Sequence, residues 1–146
     1  MNGSGFKPHG EWLREKTLIG GHDGERAEYR WYRSADLGKW EGVEVWVDGG
    51  PEAPSREMLE LLEQVVSRYP EHLAGALRYL REFFPHQPEE DYELMYLSIG
   101  QFRSYEGRPV TGFTLEFVYG DYPDAFQYKI KFKADGWPIG FEGGPL

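Results

Sequence analysis

The chain has 146 residues, 40% hydrophobic and 16% aromatic, with a formal net charge of -9 and a pI of about 4.9. One domain of this size can bury a real core, which argues against wholesale disorder, and the negative charge argues against direct nucleic-acid binding. With no cysteine, disulfides, thiolate metal sites and a cysteine nucleophile are excluded, in keeping with a reducing cytosol.

Residues 1–10, rich in Gly, Ser and Pro, have no hydrophobic period and read as a loose lead-in to a single domain spanning 1–146. They hold no basic region followed by an apolar run, and nothing approaches the ~20 apolar residues of a membrane span, so a cytoplasmic chain without membrane association is expected. Glu11 to Lys16 reads as a helical turn or an irregular arm anchored by Trp12, and Ile19 to Glu25 as a loop. Ala27 to Arg33 and Trp40 to Asp48 alternate apolar and polar side chains. They predict a hairpin with Val43, Val45 and Val47 on one face.

After Gly49-Gly50-Pro51 the period changes. Ser55 is a good helix N-cap, and Met58, Leu62, Val65 and Tyr69 recur at helical spacing. Pro70 stops or kinks that helix, and two helices are preferred over one bent one because proline is tolerated in a first turn. Leu73, Ala76, Leu77, Leu80, Phe83 and Phe84 give the second helix its apolar stripe, and His72 in its first turn reads as surface.

Beyond the acidic connector at 86–91 the chain returns to strands. Leu94 to Phe102 is almost continuously apolar, whereas Gly112 to Tyr119 alternates. Ala125 to Lys133 sets Phe126, Tyr128, Ile130 and Phe132 against Gln127, Lys129, Lys131 and Lys133, as expected of a half-buried strand at the middle of a sheet. Each of those four apolar side chains would contribute about 1.5–3 kcal/mol on burial. Asp135-Gly136 is a hairpin signal, and Trp137 to Glu142, interrupted by Pro138, reads as an edge strand. The expected class is α+β: an antiparallel sheet of about five or six strands with two consecutive helices on one face.

No catalytic or cofactor motif stands out. His9, His22, His72 and His86 are scattered, without metal-ligand spacing. Ser55 is explained as a cap, Ser34 as turn chemistry and Ser98 as a strand residue, so no nucleophile, metal or cofactor is expected. Charge is more informative. Between residues 52 and 95, ten acidic side chains face four basic ones, which places -6 of the total -9 in under a third of the chain. Glu57, Glu60 and Glu63 fall near one helix face, and Glu89, Glu90 and Asp91 form a run. The helix face reads either as ordinary solvated surface or as an acidic docking surface for a basic protein, and the run either as a solvated loop or as carboxylates that hold a cation or do acid–base work.

The closing segment Phe126 to Glu142, with its aromatic-alternating strand, Asp-Gly turn and Gly-aromatic-acidic ending, resembles small bacterial α+β domains. The Trp40-Glu41-Gly42 strand opening and the central helix pair are similar too. Some of those domains are immunity proteins encoded beside polymorphic secreted toxins. The resemblance implies a binding protein without turnover, a cytoplasmic antidote that masks the active site of a basic toxin. Its expected contact set is Glu57, Glu60, Glu63, Glu89, Glu90 and Asp91, with Tyr32, Trp46, Tyr119 and Tyr122 as aromatic anchors. The alternatives are a small enzyme with a pocket between helices and sheet, or an acidic module mimicking nucleic acid. A monomer or small homo-oligomer fits each of these.

Overall fold

The change from period two to helical spacing at Ser55 marks where the chain leaves its sheet. In the computed structural model, which describes residues 5–20, 24, 26–103, 107–121 and 123–145, three strands precede the helix pair and four follow it. These are β1 (Lys7–Ile19), β2 (Arg26–Leu37), β3 (Trp40–Gly49), α1 (Arg56–Ser67), α2 (Tyr69–Phe83), β4 (Tyr92–Arg103), β5 (Pro109–Tyr119), β6 (Phe126–Lys133) and β7 (Pro138–Pro145), with a 3₁₀ turn at Glu89–Asp91 before β4. The strands lie in the sheet in sequence order. All neighbouring pairs are antiparallel except β3 and β4. That parallel pair needs a long crossover, and the helix pair supplies it.

The architecture is α+β, with seven strands where five or six were expected. The additional strand is β1. It takes in residues 7–10 of the supposed lead-in and the supposed helical turn at 11–16. As an edge strand it is solvated almost along its whole length, so it carries no alternating apolar pattern from which a strand could be inferred. A second correction concerns β6, which lies next to the β7 edge and not at the middle of the sheet. Tyr128, Ile130 and Phe132 of β6 are buried as expected, whereas Phe126, at its start, is 42% exposed.

The core lies between the sheet and the helices. Val43, Val45 and Val47 of β3, Leu97 and Ile99 of β4, Phe113, Leu115 and Phe117 of β5, and Tyr128, Ile130 and Phe132 of β6 meet Met58, Leu61, Leu62, Val65 and Val66 of α1 and Ala76 and Leu80 of α2. Ser55 caps α1, its hydroxyl accepting from the Met58 amide at 3.4 Å, and Pro70 stands in the first turn of a separate α2. His72, expected at the surface, is 7% exposed and packs on Phe113 at 4.8 Å between ring centroids. The helical spacing that puts Leu73 and Ala76 inward also sweeps position 72 toward the sheet.

The turn between β2 and β3 has only Gly38 and Lys39 between the paired Leu37 and Trp40. Gly38 has φ +60° and no non-glycine residue among those described has a positive φ, which matches a two-residue hairpin turn with glycine first. A side chain there would also press on the Tyr69 ring, whose Cε2 would lie 3.0 Å from a Cβ.

Candidate docking face

Because α1 and α2 cover one face of the sheet, the side chains alternating with the core residues project from the other. Strand register fixes which of them become neighbours. Tyr32 of β2 stands directly opposite Trp46 of β3, and Glu44 and Trp46 stand opposite Tyr96 and Ser98 of β4. Further along, Ser98 faces Thr114 and Gly100 faces Gly112. Thr114 and Glu116 are then matched with Lys131 and Lys129 of β6, and Lys129 with Glu142 of β7.

Tyr32 and Trp46 stack with ring centroids 4.5 Å apart and planes 27° from parallel. The Trp46 indole N–H donates to Glu44 Oε1 at 2.7 Å, and the Arg30 guanidinium lies 4.8 Å from the Trp46 ring centroid. Arg30 Nε is also 3.4 Å from Asp48 Oδ1, while Asp48 Oδ2 accepts from the Gln101 amide at 2.9 Å. The Asp48 carboxylate occupies the space above Gly100, where a Cβ would overlap it. Glutamate, indole, guanidinium and aspartate thus form one held chain. The aromatic pair adds about 0.5–1.5 kcal/mol beyond area burial, and the cation–π contact about 0.5–1 kcal/mol.

Beside this chain of contacts lies a concavity of about 870 Å³, with Arg30, Asp48, Gly100, Thr114, Lys131 and Glu142 in its lining. Lys131 donates to Glu142 Oε1 at 2.7 Å, and its side chain is only 20% exposed. The Lys131 hydrogen bond, with a smaller attraction from Lys129, holds the Glu142 carboxyl below its usual range. The face is polar and carries both signs of charge, and the Tyr32–Trp46 stack stands on it.

The expected contact residues do not form one surface. Tyr32 and Trp46 come together on the uncovered sheet face, as alternation implied. Glu57, Glu60 and Glu63 are exposed along α1, which is on the other side of the sheet. Arg56 partly offsets them through an i,i+4 pair with Glu60 at 3.5 Å. Glu89, Glu90 and Asp91 form the 3₁₀ turn, where Glu89 is paired with Arg81 beside a second concavity of about 350 Å³. Tyr119 is not a free anchor, since it packs on the core and lies 5.0 Å from Tyr92 between ring centroids. Tyr122, His22 and Asp23 lie outside the described residues.

Sequence reasoning missed Arg30, Asp48, Gly100 and Glu142. Alternation alone sent Lys129 and Lys131 to the wet face, but which acidic residue they meet depends on the β6–β7 register, which shifts between Lys131 and Phe132. Among the described residues, no three histidine or carboxylate side chains converge as a metal site. No helix among them is long and apolar enough to cross a membrane. No family model, curated protein or solved structure matches the chain.

Proposed function

We propose that this chain is a binding protein of the immunity type, which neutralises a cognate toxin by docking on it and masking its active site. The observation that carries this reading is the Tyr32–Trp46 stack with Arg30 above it, on a sheet face that no other described element covers. Tyr, Trp and Arg are the residues most enriched where interface energy concentrates. Here they are held by neighbours before any partner arrives, so less side-chain freedom is lost on binding. The acidic ridge of α1 supplies attraction at a distance toward a basic partner.

A pocket between helices and sheet, which the enzyme alternative requires, gains no support, because that space is filled by the rings and branched side chains of the core. The larger concavity is on the opposite side. Co-expression with the toxin-like product of an adjacent reading frame is the direct test. The wild-type chain is expected to restore growth and to co-purify with that product. Trp46→Ala and Tyr32→Ala, each still folded by circular dichroism, are expected to weaken the complex by about tenfold or more. An absence of complex, or one indifferent to both substitutions, removes this reading.

A further inference from the structure

The larger concavity has a topological origin. β3 ends at Gly49, paired with Tyr29, but both of its neighbours run on. β2 extends past that point by residues 26–28, and β4 extends by residues 100–103 past its last pairing with β3, Val47 to Ile99. The flanking hairpins keep an unbroken register there, with Leu18 opposite Ala27 on one side and Gly100 to Arg103 opposite Gly112 to Pro109 on the other. The chain turns out of the sheet at Gly50 and Pro51, whose carbonyls accept from Trp31 Nε1 at 3.0 Å and from Arg14 at 2.8 Å. Between the ends of β2 and β4 there remains a slot with no described strand in it, and residues of both line the concavity.

Strand alternation fixes which backbone groups face this slot. The Asp48 carbonyl accepts from the Ser55 amide at 3.0 Å, so it points away from β2, and the next residue, Gly49, is the one bonded to Tyr29. Two residues before Tyr29, Ala27 turns its N–H and C=O the same way, into the slot. On the other side the Gln101 amide donates to Asp48 Oδ2 at 2.9 Å, so Gln101, and Arg103 two residues on, face the slot as well. The Asp48 carboxylate thus takes the bond that the carbonyl of a continuing strand would take. Two strand spacings, about 9.6 Å, separate β2 from β4 across β3, which is room for one backbone.

We propose that this slot takes a short extended segment of another protein, inserted as a strand between Ala27 on one side and Gln101 and Arg103 on the other. A peptide is the ligand class that fits, because its own N–H and C=O groups alternate left and right and so meet both edges. The slot is about 10–13 Å long, enough for three or four extended residues. Side chains of the segment turned toward Tyr29 and the Gly50–Pro51 turn must be small. Those turned the other way reach Arg30, Lys131 and Glu142, so polar residues suit them. This capture does not depend on the Tyr32–Trp46 stack.

The probe is a peptide selected against the full chain from a random library displayed on phage and then synthesised. It is expected to bind Ala27→Pro and Gln101→Pro about tenfold more weakly than the wild-type chain. Proline at either position removes a donor that faces the slot and none from the β1–β2 or β4–β5 ladder. Phe83→Ala and Trp46→Ala are expected to bind the peptide unchanged. Methylating single backbone nitrogens of the peptide should weaken binding at consecutive residues, since successive amides meet opposite edges. Should the proline variants fail to fold, that scan decides together with hydrogen exchange of the wild-type complex, in which the Ala27 and Arg103 amides should become protected. The proposal is overturned if no peptide can be selected, if folded proline variants bind equally well, if the amides stay unprotected, or if methylation matters only at every second residue. A wild-type dimer that either proline variant dissociates overturns it too, because the occupant is then a second copy.

Discussion

His72 carries a titratable ring into the layer between α2 and the sheet, against Phe113 and Phe132. Burial disfavours its protonated form and lowers its pKa from 6.5; Arg68 acts in the same direction, and Glu71 opposes both. The unfolded chain therefore takes up this proton first as pH falls. Stability is lost from about 6.5 downward, until the folded protein is protonated as well. Glu71, Asp36 and Glu142, all held below their ordinary values by hydrogen bonds from basic partners, add losses only in the more acidic carboxylate range. Urea midpoints measured from about pH 7.5 to 5 should fall for the wild-type chain and stay nearly flat for His72→Gln. An equal slope in both proteins would mean that His72 titrates normally in the fold.

At the scale of elements, the β2–β3 hairpin depends on one backbone angle. Gly38 at φ +60° lies where an L side chain costs about 1–2 kcal/mol, and a Cβ would also crowd Tyr69. Gly38→Ala should therefore destabilise the domain by roughly 1–2 kcal/mol, read as a lower urea midpoint with an unchanged slope. A null effect would mean that the turn relaxes to another type. That hairpin was legible because β2 and β3 alternate. The helix pair was legible because Ser55, Pro70 and the spacing of Met58, Leu62 and Val65 are local signals. β1 was not legible, since an edge strand wet on both faces has no pattern to read. The position of β6 was hidden too, because pairing order is set by the whole chain. The candidate docking face was half legible. Alternation turned Tyr32 and Trp46 outward together, but Arg30, Asp48 and Gly100 converge from three strands whose register is a tertiary outcome.

At the scale of the whole molecule, the sheet separates two surfaces of different chemistry, and each predicts its own kinetic signature. The exposed carboxylates of α1 act at long range, so their effect belongs to the rate of encounter and fades as salt screens it, with a Debye length near 10 Å at 0.1 M. The Tyr32–Trp46 stack acts only on contact, so its loss belongs to the rate of dissociation. Reversing Glu57, Glu60 and Glu63 to lysine should slow association with the basic partner we propose by about tenfold at low salt, leave dissociation nearly unchanged and flatten the salt dependence. Trp46→Ala should do the opposite, speeding dissociation with little change in the encounter rate. Stopped-flow traces of both variants over a salt series separate the two roles. If the α1 reversal speeds dissociation as strongly as Trp46→Ala does, the partner sits on the helices, and the uncovered face of the sheet is not where it docks.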